Sequence, residues 1–156
     1  MTTGETRSVS RGATPRVTNH LTWSWRAWIV GLALIIPPLF YIAPIHRIAA
    51  RLTAMGRART VPPVDVIVAE VDRWQRWLRW PWHTTCLKRA AVLFTLLRRC
   101  GINVELHIGV RRNAEKAFGA HAWLVRDGQP YLEAGADALP SFRVIACFPE
   151  VAAPTA

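Results

Sequence analysis

The chain has 156 residues, of which 51% are hydrophobic and 19% charged, so it suits one domain with a buried core and is not disordered, collagen-like or a coiled coil. Its 20 basic residues against 10 acidic ones give a net charge of +10, which suggests nucleic acid, an anionic membrane or an acidic peptide as a partner. The arginines are scattered, however, with no basic helix or aromatic RNA-binding motif to organise them, so we predict no nucleic-acid binding.

The N-terminal part divides into a tail and an apolar segment. Residues 1–20 are rich in Ser, Thr, Gly and Arg and are predicted to form a disordered tail. Residues 21–60 are predicted to be a hydrophobic helical segment, in which residues 27–45 just reach the roughly 17–25 residues of a membrane span. Because Pro37 and Pro38 interrupt this run, we predict two short helices that pack on the domain or on a partner. The protein is predicted to be cytoplasmic, with association with a membrane through residues 27–45, peripheral or spanning, as the alternative.

Residues 61–150 are predicted to form the main domain, which starts with a helix. Small, basic and proline residues over 57–63 indicate a linker that leads into it. Apolar residues then recur at helical spacing, which predicts a helix over residues 64–80. Pro81 is predicted to end this helix.

A second helix is predicted over residues 86–100. Thr84 or Thr85 can cap its start, and Gly101 can end it in the left-handed conformation. Its apolar face is unusually wide, which is typical of a central helix covered on several sides.

The period of the apolar residues changes from helical to two after Gly101, which predicts strands. Asp127-Gly128 is the turn of a hairpin, and residues 111–118 form a charged loop. The predicted strands cover residues 104–110, 119–125, 129–133 and 142–148. Helices followed by an antiparallel meander predict an α+β fold, with the helices on one face of the sheet.

Cys86 is the candidate nucleophile because it lies in the first turn of the predicted central helix. Unpaired N–H groups and the helix dipole favour an anion there, so such a thiol reacts as thiolate more readily than a free one. The same N–H groups can hold the oxyanion of a tetrahedral intermediate. Cys100 and Cys147 are predicted to be small buried hydrophobic residues instead.

His121 is the candidate general base, since a histidine inside a strand is uncommon unless it has a partner. The orienting carboxylate depends on the hairpin. A two-residue loop places Glu133 opposite Ala122 and turns His121 to the other side of the sheet. A three-residue loop pairs Trp123 with Tyr131 and places His121 directly opposite Glu133, which would complete a triad.

The sequence leaves both hairpin registers open. Asp137 is the fallback for the carboxylate role, and Asp127 is predicted to be a turn residue.

No metal or cofactor site is predicted. The three cysteines have no CxxC spacing, which argues against a disulfide framework and is typical of a reducing cytoplasm. His83 and His107 lack neighbours at metal-ligand spacing, so we predict no zinc site. The chain has no glycine-rich phosphate loop and thus no predicted nucleotide site.

Several stretches together resemble the leader peptidases of lasso-peptide biosynthesis, which belong to the transglutaminase-like, papain-related superfamily. They are CLKRAAVLFTLLRRCGI from residue 86, LHIGVR from residue 106, AHAWLV from residue 120, and the Asp-Gly pair at 127. The resemblance covers about residues 80–133. It implies a papain-like core in which Cys86 is the nucleophile, His121 the base and acid, and Glu133 the orienting carboxylate. Many relatives have Asp in place of this Glu.

The resemblance also implies a function and partners. The protein would be a bacterial cysteine endopeptidase that removes the leader of a lasso-peptide precursor through a thioester. No leader-gripping module precedes Cys86, so a separate leader-binding protein is expected, together with a lasso cyclase similar to asparagine synthetase. Two other classes stay open: a transglutaminase-like acyltransferase, which shares the thioester, and a non-catalytic membrane-associated binding module.

Overall fold

The computed structural model describes residues 16–17, 21–54, 56–77, 85–112 and 118–149. The elements in chain order are β1 (Arg16–Val17), α1 (Trp23–Ile42), α2 (Ile45–Thr53), β2 (Thr60–Val61), α3 (Val64–Trp77), α4 (Cys86–Arg99), β3 (Glu105–Arg112), β4 (Phe118–Arg126), β5 (Gln129–Tyr131), a 3₁₀ helix (Ala136–Ser141) and β6 (Arg143–Phe148). The last four strands form an antiparallel sheet in the order β5-β4-β3-β6. The predicted α+β fold is confirmed.

Helix α1 runs without a break through Pro37 and Pro38, so the prediction of two short helices divided there is wrong. An internal proline costs a helix about 3 kcal/mol or more, but burying one large apolar side chain returns about 1.5–3 kcal/mol. Several such side chains on α1 are buried, and their packing outweighs the lost backbone hydrogen bonds. The buried residues of this helix are Trp25, Ile29, Leu32, Ala33, Ile36 and Pro37.

The break between α1 and α2 comes instead at Ala43, which precedes Pro44 and is extended. A residue before proline is pushed out of the helical region by the proline ring. The chain therefore turns here, and α2 lies beside α1.

Helix α1 has the length and hydropathy of a membrane-spanning segment, a property that core helices of soluble proteins and signal sequences share. One side packs in the core, and a third of its most apolar window is buried. On the other side Ile35, Tyr41 and Ile42 are exposed. The helix thus combines a core face with an exposed apolar face.

A short parallel ladder joins the segment predicted as a tail to the segment predicted as a linker. Arg16 lies opposite Thr60, and Val17 lies opposite Val61. The indole nitrogen of Trp25 donates to the Thr60 carbonyl at 2.9 Å, which ties the ladder to α1. Residues 1–15 and 18–20 of the predicted tail, and residues 78–84 with the predicted end of the third helix, lie outside the described residues.

Helix α4 is the centre of the fold, as its wide apolar face predicts. Thr85 caps its start, with its hydroxyl oxygen accepting from the Lys88 N–H at 3.4 Å. Gly101 follows its end with φ +82°, where a glycine is favoured. The eight consecutive residues 90–97 are buried.

The sheet has two different faces. Leu106, Ala122 and Leu124 point into the core that contains α4. Because successive strand residues alternate, Trp123 and Val125 point the other way and pack with Leu139 of the 3₁₀ helix in a second, smaller cluster. Strand β3 extends to Arg112, into the stretch predicted as a loop; residues 113–117 lie outside the described part.

Candidate active site

The β4–β5 hairpin is closed by the two-residue loop Asp127-Gly128, with Arg126 opposite Gln129. Both loop residues have positive φ, 51° and 76°, as in the type I′ turns that Asp-Gly favours. The three-residue loop is therefore wrong. So is the pairing of Trp123 with Tyr131, because Tyr131 lies opposite Leu124.

Glu133 nevertheless reaches His121, because β5 ends at Tyr131 and Glu133 is free of the ladder. Leu132 has φ +58°, a conformation that bulky residues rarely adopt, and it redirects the chain at the edge of β4. His121 Nε2 donates to Glu133 Oε1 at 3.0 Å, with the two side chains 27% and 15% exposed. The strained turn, and not strand register, brings the pair together.

Arg89 holds this turn in place. Its Nη1 donates to the Leu132 carbonyl at 3.2 Å, while Nε and Nη2 donate to the two carboxylate oxygens of Asp72 at 2.7 and 3.2 Å. The hydrogen bond to Asp72 raises the pKa of Arg89, so the guanidinium stays charged. Arg89 lies one turn after Cys86 on α4, and this helix thus positions both the thiol and the turn that carries Glu133.

Cys86, His121 and Glu133 line one small cavity of about 80 Å³. Cys86 is half-buried at the first residue of α4. Since Glu133 occupies His121 Nε2, Nδ1 is the ring nitrogen available to the thiol. Among the described residues no hydrogen bond joins Cys86 to His121; such bonds are often long in unliganded enzymes and tighten with substrate. The other residues of the wall are Arg89, Ala90, Leu93, Ala122, Leu124, Tyr131 and Leu132.

Aromatic rings fix the orientation of His121. The indole of Trp123 stacks on the imidazole at 6.0 Å between centroids, and the ring of Phe142 lies at 5.6 Å. Gly109, opposite His121 in β3, makes room for this arrangement, because a Cβ there would lie 2.8 Å from the Trp123 ring. The imidazole is therefore held by packing on one side and by a carboxylate on the other.

The other two cysteines have surroundings that suppress the thiolate. Burial raises the pKa of Cys100 to about 11. Burial and the Glu105 carboxylate raise the pKa of Cys147 to about 11. The prediction of a buried cysteine is correct for Cys100 but wrong for Cys147, which is half-buried and donates to Glu105 Oε2 at 3.6 Å.

The remaining candidates lie away from the cavity. Asp137 is exposed in the 3₁₀ helix, and Asp127 is an exposed turn residue beside Arg126. His107 does have partners: its Nε2 donates to Glu105 Oε2 at 2.8 Å, and Cys147 lies beside that carboxylate. The i, i+2 spacing of Glu105 and His107 in a strand was the available signal in the sequence. His83 lies outside the described residues.

A cysteine at the start of a central helix, beside a strand histidine paired with a carboxylate, is the arrangement of thiol hydrolases and acyltransferases. The sequence profile of the transglutaminase-like superfamily matches residues 21–147. The chain belongs to this superfamily, which includes cysteine peptidases and acyltransferases. The match begins ahead of α1 and so includes the apolar helices. No curated protein and no solved structure matches the chain.

Arg89→Lys is expected to lower the rate of the reaction at Cys86 by about 10²-fold without weakening substrate binding. Lysine keeps the positive charge but lacks the planar guanidinium that binds Asp72 and the Leu132 carbonyl at the same time. A small misplacement of a catalytic group lowers the rate by about 10²-fold. Steady-state kinetics would show the loss in kcat and not in KM. Arg98→Lys, on the same helix and bonded to Asn103, is the matched control. Equal kcat values for the two variants would contradict the claim that Arg89 positions the turn that carries Glu133.

Proposed function

We propose that this protein is a cysteine endopeptidase that removes the leader from a lasso-peptide precursor. The observation that carries the proposal is the His121–Glu133 contact in a cavity that Cys86 also lines. The membership of the transglutaminase-like superfamily agrees with it, and the resemblance of the segments around these residues to leader peptidases supplies the substrate class.

In the proposed reaction His121 Nδ1 takes the proton of the Cys86 thiol, and the sulfur attacks the scissile carbonyl carbon. N–H groups of the first turn of α4 stabilise the resulting oxyanion. The intermediate collapses to a thioester, and the leaving amine of the core peptide takes the proton from His121. Water activated by the same imidazole then hydrolyses the thioester, which restores the thiol and releases the leader as a carboxylic acid.

Glu133 fixes the tautomer of His121 in this scheme and stabilises its charged form between the two proton transfers. The buried Trp123 ring, which stacks on the imidazole, limits its rotation. A domain that only bound a ligand would have no need of this arrangement, which weighs against a non-catalytic binding module. An acyltransferase would use the same steps up to the thioester. The two activities differ in whether water or an amine then takes the acyl group.

We further propose that the leader arrives on a separate leader-binding protein, and that a cyclase similar to asparagine synthetase takes the released core peptide. An apolar groove of about 500 Å³ between α1 and α2 supports docking of such a partner. Ile35, Ile36 and Leu39 line it, and Arg47 and Arg51 lie along it. A surface of this kind suits an amphipathic segment with acidic residues.

The protein alone is therefore expected to cleave its precursor poorly, and addition of the leader-binding protein is expected to raise kcat/KM. Precursor and leader-binding protein from neighbouring genes would be mixed with the purified protein, and the products followed by mass spectrometry. Ile35→Glu, which places a like-charged group against an acidic partner in the exposed part of the groove, should reduce the stimulation but not the slow basal cleavage. Efficient cleavage by the isolated protein would contradict the proposed need for a partner.

A further inference from the structure

A second cluster of reactive side chains lies on the sheet, outside the cavity of the proposed active site. Glu105 and His107 are two residues apart on β3, and Cys147 of β6 lies directly opposite His107. Cys147 stands between Ala146 and Phe148, which both pack on the core. Alternation along the strands therefore places all three side chains on the face turned away from α4.

The ligand atoms of this cluster are close enough to share one ion. His107 Nε2 lies 2.8 Å from Glu105 Oε2, Cys147 Sγ lies 3.6 Å from the same oxygen, and all three atoms are within 4.8 Å of one another. Tetrahedral zinc with bonds of about 2.0–2.3 Å needs its ligand atoms about 3–4 Å apart. Small rotamer changes in the three side chains would reach that geometry.

The donor set also selects the metal. A thiolate, an imidazole and a carboxylate together favour zinc over calcium or magnesium, which prefer oxygen ligands only. The backbone of the sheet fixes the positions of the three ligands, since Glu105 and His107 share β3 and Cys147 of β6 lies opposite His107. The ring of Trp123, 5.9 Å from that of His107, covers one side.

We propose that Glu105, His107 and Cys147 bind one zinc ion, with a water molecule in the fourth position. Binding replaces the Cys147 thiol proton, which passes to solvent, and breaks the His107–Glu105 hydrogen bond so that both groups turn their lone pairs to the metal. The ion would join β6, an edge strand of the sheet, to β3. None of the three ligands lines the cavity of Cys86, although the Trp123 ring contacts both His107 and His121.

The test is zinc content after equilibrium dialysis of the full-length protein against zinc chloride, with removal of loosely bound metal by a weak chelator. Wild-type protein is expected to keep about one zinc per chain, and Cys147→Ser and His107→Ala about none. Zinc should also raise the Tm of the wild type and not that of these variants. Cys86→Ala and Cys100→Ala are the matched cysteine controls and should keep the metal.

Cobalt provides a second measurement, because a cobalt–thiolate bond gives a charge-transfer absorption that reports the sulfur directly. This band should appear in wild type and Cys86→Ala, and be absent from Cys147→Ser. Glu105→Gln, which changes a partly exposed carboxylate and leaves the core intact, should weaken zinc binding even if the other variants fold poorly. Zinc-free wild type, or metal lost in Cys86→Ala and kept in Cys147→Ser, would overturn the proposal.

Discussion

Cys86→Ala is expected to abolish leader cleavage, with a loss of about 10⁴–10⁶-fold in rate. Among the described residues, Cys86 is the one sulfur that lines the cavity with His121 and Glu133, and neither water nor alanine can form the acyl intermediate. Cys86 is half-buried at a helix start, so the fold should survive, which circular dichroism can verify. Cleavage would be followed by mass spectrometry with precursor and leader-binding protein present.

The other two cysteines give matched controls. Cys100→Ala and Cys147→Ala remove one sulfur each at sites outside the cavity, and both should keep cleaving. Cys100 is buried, so its variant should lose some stability without losing the reaction. Full activity of cleanly purified Cys86→Ala would contradict the peptidase proposal.

Glu133→Gln is expected to lower kcat by up to about 10⁴-fold while the fold is kept, and by less where a thiolate is already formed. Glutamine can still accept a hydrogen bond from His121 Nε2 but cannot stabilise the charged imidazole. Glu133→Asp should retain more activity than Glu133→Gln, because a shorter carboxylate keeps the charge. Single-turnover rates of the three proteins, measured with saturating leader-binding protein, would give this order.

Two exposed carboxylates are the controls for this prediction. Asp127, with its side chain 86% exposed in the hairpin loop, and Asp137, exposed in the 3₁₀ helix, do not line the cavity that contains His121. Asp127→Asn and Asp137→Asn should leave kcat nearly unchanged. If Asp137→Asn lowered kcat strongly and Glu133→Gln did not, the role of the orienting carboxylate would belong to Asp137. An inactive His121→Ala together with indifference to every carboxylate would indicate a Cys–His dyad.

The sequence predicts well where local chemistry decides the structure. The threonine cap ahead of Cys86, the left-handed Gly101 and the wide apolar face between them identify the central helix, because each is a property of that segment alone. It predicts poorly where packing overrides local preference. Pro37 and Pro38 break helices in isolation, and only contacts made by the buried side of α1 keep it continuous.

For the candidate site, too, the sequence predicts some features correctly and misses those that depend on tertiary packing. The pairing of His121 with Glu133 was predicted, but from a hairpin register that the Asp127-Gly128 turn excludes. The conformation of Leu132 that produces the contact depends on Arg89 and Asp72, which come from different helices. In the cluster of Glu105, His107 and Cys147, the i, i+2 spacing of the first two residues is visible in the sequence. Cys147, however, follows Glu105 by 42 residues and joins them only when β6 pairs with β3.

Cleavage in water enriched with ¹⁸O tests the proposed reaction most directly. Hydrolysis of a thioester on Cys86 should place one ¹⁸O atom in the new C-terminal carboxyl group of the leader and leave the core peptide with a free amine. Mass spectrometry of both fragments, with Cys86→Ala as the blank, measures this. A leader joined to an added amine without ¹⁸O, or a labelled leader formed equally by Cys86→Ala, would contradict a peptidase that acts through this cysteine.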